Sequence, residues 1–160
     1  MEVETLAQIS REWMQEAATK GTARVELENR AAQGLIIDHL QKGFMRFTFV
    51  IPPSASDANG NWQAGAIATI MDIIASMAIF TETGTARGQV TMDYNISYYS
   101  SAKIQEEVEI DAKVIGSKGK LTSVAVEVRR KYDGELIAVA KQWTASNQFK
   151  ASWTIPRSKL

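Results

Sequence analysis

The chain has 160 residues, with 18 basic and 18 acidic side chains and no cysteine. That is the length of one domain with one core, and zero net charge gives no electrostatic case for a nucleic-acid partner. Without cysteine, disulfides, thiolate metal sites and a cysteine nucleophile are excluded; one histidine, His39, rules out a multi-histidine zinc site and is the residue any Ser-His-Asp triad would have to use.

Residues 2–20 carry Leu6, Ile9, Trp13 and Ala17 at three-to-four spacing among mixed charges, which predicts an amphipathic helix and not a secretory leader. Two β-rich runs follow, Gly34–Leu40 and Gly43–Ile51, separated by Gln41-Lys42 at hairpin spacing. Pro52-Pro53 stops the second run, and residues 54–61 are a loop by composition. Residues 63–80 are apolar on every side, which predicts a helix buried all round, of a length that suits a core helix and falls short of a membrane span. No other stretch is long and apolar enough to cross a bilayer.

Four β-patterned runs come next. Val90, Met92, Tyr94, Ile96 and Tyr98 alternate with Thr91, Asp93, Asn95 and Ser97, and Val108, Ile110, Ala112 and Val114 alternate with Glu107, Glu109, Asp111 and Lys113. Val124, Val126 and Val128 mark the run Lys120–Lys131, and Leu136–Ala145 is the last. Period two predicts one buried and one wet face, and Asp133-Gly134 predicts a tight hairpin. The architecture that follows is α+β: a curved antiparallel sheet wrapped around the helix Gly65–Phe80, in one domain over residues 1–146. An exposed sheet edge on such a unit predicts a homo-oligomer. Residues 147–160 read as a tail ending in Ser158-Lys159-Leu160, a peroxisomal address read by an import receptor. The expected location is the peroxisome, or the cytosol if the signal is not used.

Asp72 is the only charged residue between Gly65 and Phe80. An ionised carboxylate in a buried helix costs several kcal/mol without partners, on the order of 3–5. It is therefore read as a general base or nucleophile in a narrow pocket, against the plainer reading of an aspartate satisfied by backbone or hydroxyl groups. Helical spacing places Ala68, Asp72, Ala75 and Ser76 on one face, small enough to line a slot. Ala64-Gly65-Ala66 open the helix with free N–H groups, suited to an oxyanion. Asp72 lies about two turns further on, roughly 10 Å. One carbonyl cannot reach both within one chain, so the site is expected to be shared across a dimer.

The stretch Gly65-x-x-Ala68-Thr69-x-x-Asp72 with Val90-Thr91-x-Asp93-x-Asn95-Ile96-Ser97-Tyr98 resembles the hotdog-fold acyl-CoA thioesterases. The nearest branch is that of the phenylacetate-pathway and acyl-CoA thioesterase 13 enzymes. Ala102-Lys103, Lys118-x-Lys120-Leu121 and Gly134-x-Leu136-Ile137-Ala138 extend the likeness across residues 34–144. The resemblance implies a hotdog dimer, usually paired into a tetramer. It implies hydrolysis of an acyl-CoA to free acid and CoA with no metal or cofactor, coenzyme A being part of the substrate. It assigns the helix acid to Asp72, the water-orienting hydroxyl to Thr91, and the carbonyl-polarising N–H to Ala64 or Gly65.

Two positions depart from the family. Gln63-Ala64-Gly65 stands where the family has His-Gly-Gly, and Asp57 where it has an asparagine that Asn59 or Asn61 would replace. Trp62 is expected to pack beside the helix start or line an acyl tunnel. Ser76 is expected in the slot, and Asn95 on the wet face of its strand or against substrate. Lys118 and Lys120, and similarly Arg129, Arg130 and Lys131, are expected as solvated surface or as CoA-phosphate contacts. His39 reads as structural. A hydratase would need a histidine paired with the acid, which Gln63 cannot supply; a non-catalytic acyl-CoA-binding hotdog protein is the main alternative.

Overall fold

The computed structural model describes residues 26–84 and 87–150, with Thr5, Gln8 and Glu12 before them. Those three are helical; the rest of the helix expected over residues 2–20 and the terminal Ser158-Lys159-Leu160 lie outside the described residues. The elements are α1 (Glu26–Ala31), β1 (Ile36–Gln41), β2 (Phe44–Val50), a short turn of 3-10 helix (Pro53–Ala55), α2 (Ala64–Thr83), β3 (Arg87–Tyr98), β4 (Glu107–Lys118), β5 (Leu121–Arg130) and β6 (Leu136–Lys150). They form one six-stranded sheet in the order β1-β2-β4-β5-β6-β3, every neighbouring pair antiparallel.

Local chemistry sets most of these bounds. Gly134, at φ 73°, closes the β5–β6 hairpin beside Asp133, whose Oδ1 accepts the Glu135 N–H at 3.0 Å. Gly84 ends α2 in the left-handed conformation, its N–H donating to the Phe80 carbonyl. The backbone of β6 continues to Lys150, past the boundary at residue 146 drawn from the sequence. The short helix α1 had no counterpart in the sequence reading: six residues are too few to show a period. It is held by buried Ala31 and, after it, Leu35, and packs on α2.

The core lies between α2 and the concave face of the sheet. Met45, Phe47 and Phe49 of β2, Val108, Ile110 and Ala112 of β4, and Val124, Val126 and Val128 of β5 are almost fully buried against Ile67, Ile70, Met71, Ile74 and Ala78 of α2. Each large aliphatic so placed contributes about 1.5–3 kcal/mol relative to an exposed one. At 20 residues α2 is in fact long and apolar enough, by length and composition, to cross a bilayer; its inner face is instead packed into this core.

Two expectations are corrected. The helix is not buried all round: Ala64 and Gly65 are exposed, and Ala68, Asp72, Ser76 and Phe80 form a partly open stripe, while Ala75 points into the core with 0% exposure. A six-strand sheet on one side covers only part of a helix's circumference. The alternation in β3 also breaks. Thr91 pairs with Thr144 but Asp93 pairs with Trp143, so a bulge at Met92 switches the inward face from odd to even residues. Val90 and Met92, expected inside, are 44% and 64% exposed, while Thr91 turns inward with Tyr94 and Ile96.

Candidate active site

The bulge brings Thr91 to the helix. Its hydroxyl donates to Asp72 Oδ1 at 2.8 Å. The same oxygen accepts the Gln142 Nε2–H at 3.2 Å, from β6. Asp72 Oδ2 takes no hydrogen bond, and Asp72 joins no ion pair, among the described residues. A carboxylate fixed through one oxygen, uncompensated by a cation and partly open on the stripe can take a proton from a bound donor. No cluster of three or more metal-ligating side chains exists among the described residues.

Its field reaches two neighbours. Burial, and then the charge of Asp72, push the carboxyl of Glu28 on α1 above the usual carboxylate range. Burial, then Asp72, then Tyr98 push the Tyr94 phenol up. That phenol donates to the Ala68 carbonyl at 2.8 Å, one turn before Asp72, and the Tyr98 hydroxyl donates to the Ala64 carbonyl at 3.0 Å. The two tyrosines fasten the helix start to β3.

At that start Gln63 is the N-cap: its Oε1 accepts the Ala66 N–H at 3.1 Å. The Ala64 and Gly65 N–H groups, first in the helix, have no intrahelical acceptor and sit on the exposed side. A Cβ at Gly65 would lie 3.0 Å from the capping oxygen, so glycine leaves that cap undisturbed. These donors remain about two turns, roughly 10 Å, from Asp72 along one helix.

The other predicted positions divide. Ser76 lies one turn beyond Asp72 on the open stripe. Asp57 organises its own loop, Oδ1 accepting the N–H groups of Asn59 at 2.8 Å and Asn61 at 2.9 Å. The Asn61 N–H chiefly holds its carboxyl below the usual range. Lys103 Nζ donates to the Asn59 carbonyl at 3.4 Å. Trp62 is buried against Phe49, ring centroids 5.5 Å apart, with Nε1 unpartnered. Asn95 is exposed on the face opposite Tyr94, and Lys118 and Lys120 are exposed at the β4–β5 turn; no contact joins these three to Asp72. His39 is exposed on β1, the opposite edge from β3, its ring 6.0 Å from Phe44.

Gln142, Glu28 and Tyr94 were not singled out as site residues from the sequence. For Gln142 a signal existed: Ala138, Ala140, Gln142 and Thr144 share one strand face, and the last two are polar yet 1% and 0% exposed. Gln142 Oε1 has no hydrogen-bond partner among the described residues, and such a buried carbonyl costs about 1–3 kcal/mol.

Comparison with known proteins adds to this geometry. A thioesterase-superfamily profile matches residues 59–137, which include Asp72 and Thr91. Acyl-coenzyme A thioesterase 13 of Mus musculus is 38% identical over 79 residues, 49% of this chain and 56% of the relative, so the chain spans just over half of that relative's length. Among solved structures, zebrafish thioesterase superfamily member 2 superposes with a TM-score of 0.74 at 23% identity, over 83% of this chain and 94% of that one. A hypothetical thioesterase protein of Streptococcus pneumoniae TIGR4, solved with coenzyme A, gives 0.66 at 16% identity, over 74% and 89%. At these identities the structural likeness speaks for the hotdog fold.

Proposed function

We propose that this chain, whose residues 59–137 match the thioesterase superfamily and which is homologous to acyl-CoA thioesterase 13, hydrolyses an acyl-CoA thioester with Asp72 as general base. The observation that carries the proposal is the Asp72 carboxylate: set in an apolar helix, held through Oδ1 by Thr91 and Gln142, and left with Oδ2 for a water proton.

Water adds to the thioester carbonyl as Asp72 takes its proton. The oxyanion is held by the Ala64 and Gly65 N–H groups; the tetrahedral adduct collapses, the C–S bond breaks, and the proton on Asp72 goes to the departing CoA thiolate. No metal or cofactor enters. The roughly 10 Å between helix start and Asp72 requires the oxyanion site of one protomer to face Asp72 of its partner. Pairing of two β3 edges, which expose Val90 and Met92, would build that dimer and cover the open stripe of α2. Light scattering that finds only monomer under assay conditions would sink the shared site. Direct attack by Asp72 differs in passing through a mixed anhydride on the enzyme, which rapid quench or hydroxylamine trapping in a single turnover would detect as acylated Asp72.

The deciding experiment is thiol release from short, long and aromatic acyl-CoAs by the wild type and Asp72→Asn. Turnover that collapses in the variant, with the fold intact, supports the proposal. Retained acyl-CoA binding with no turnover on any substrate would favour the binding-protein reading, for which Gln63, a capping side chain in place of the family's histidine, is the motivating feature.

We further propose that Ser158-Lys159-Leu160 directs the protein to the peroxisome. Removal of these three residues is expected to leave a tagged protein in the cytosol; an unchanged distribution would dismiss the signal.

A further inference from the structure

We propose that Gln142 is a positioning residue for this reaction: its amide, together with Thr91, fixes the rotation of the Asp72 carboxylate so that Oδ2 faces the water. The proposal rests on the thioesterase reading above and concerns a residue beyond the matched segment 59–137.

The two donors to Asp72 Oδ1 come from strands that are neighbours in the sheet, Thr91 on β3 and Gln142 on β6. One hydrogen bond leaves a carboxylate free to swing about its Cβ–Cγ bond. Two donors converging on one oxygen hold its plane. Gln142 is 1% exposed and sits in register between Tyr94 and Val124, so its own side chain has little room to move. The negative oxygen dictates which end of the amide faces it: the N–H end. The carbonyl end is thereby turned away, and Oε1 is buried without a partner among the described residues.

This arrangement is poor for folding alone. The neighbours of Gln142 on the concave face include Val124, Val126 and Ala140, and a leucine or methionine would fill the same space with no unsatisfied oxygen. A side chain that leaves its own carbonyl stranded while donating to the candidate base is placed for the base. A purely structural Gln142 would only stabilise a buried carboxylate, and the two roles differ in what its removal does.

The experiment is a kinetic and stability comparison of wild type, Gln142→Leu, Asp72→Asn and the double variant, with a crystal structure of Gln142→Leu. Positioning predicts a kcat loss of roughly tenfold to hundredfold in Gln142→Leu, the scale of a misplaced catalytic group, with KM within about twofold. Its Tm is expected to be unchanged or higher, and the double variant no slower than Asp72→Asn, because Gln142 acts only through Asp72. A lower Tm with unchanged kcat, or an equal rate loss in the Asp72→Asn background, overturns the proposal. The crystal structure needs no activity: it should show the Asp72 carboxylate rotated or in two orientations. An unmoved carboxylate overturns the proposal. Absence of wild-type turnover would overturn the thioesterase reading instead, and leave this structural arm to decide the role of Gln142.

Discussion

Asp72 and Arg130 are both charged groups held largely out of water, and they are treated in opposite ways. Arg130, its side chain 11% exposed, faces Glu106 at 3.4 Å and Asp133 at 3.0 Å, binds Glu135, and donates to the Ser101 carbonyl at 2.6 Å. It ties the β5–β6 hairpin to the segment before β4, and three carboxylates surround its guanidinium, although its Nε makes no hydrogen bond among the described residues. Among the described residues Asp72 has no cation, two donors on one oxygen and none on the other. A charge enclosed by counter-charges has its energy spent on the fold. A carboxylate left with one oxygen unoccupied beside an open stripe has that oxygen available to a bound water, which is what chemistry requires.

The sharpest way to break this contrast is to remove each charge and ask which property falls. Asp72→Asn should lower kcat by about 10²–10⁴-fold, the scale of a lost general base, with Tm unchanged or raised; steady-state thiol release and thermal unfolding measure the two. A Tm collapse with rate retained would place Asp72 with Arg130. Arg130→Met should do the reverse. It leaves Glu106, Asp133 and Glu135 without their cation and lowers Tm, with kcat at low temperature little changed.

The smallest effect sharpens the picture of the Asp72 field. Glu28 has its carboxyl pushed above the ordinary glutamate range by burial and then by Asp72. A raised folded pKa means the folded state holds that proton more tightly than the unfolded chain, so its contribution is fully present below pH 4.5 and lost as pH rises through the folded value. At neutral pH the Glu28 charge therefore opposes folding, weakly, since much of the side chain meets solvent. Glu28→Gln should raise Tm at pH 7, and the gain should vanish at pH 4. A gain that persists in acid would show that Asp72 does not act on this carboxyl.

Legibility from the sequence followed the range of the physics. The four alternating runs, the long apolar helix and its lone acid could be read directly, because period and composition are local. The same rule failed at Val90 and Met92, where one unpaired residue inverts the face and no propensity announces it. Thr91 was placed at the site only by resemblance; alternation alone had put it in water. Asp57, set in the pocket by alignment, spends both oxygens on its own loop. Glu28 stayed hidden because its helix has six residues and its role depends on packing against α2.

By itself the sequence determined the order of elements, the absence of thiol chemistry and the isolation of Asp72 in an apolar helix, because each is a property of neighbours along the chain. The tertiary structure alone decided which donors meet that carboxylate. Thr91 comes from 19 residues away and Gln142 from 70, and both depend on the register of β6 against β3 and on the bulge at Met92. Register is set by the sum of cross-strand pairings over the whole sheet, and no stretch of sequence short enough to be read locally contains it.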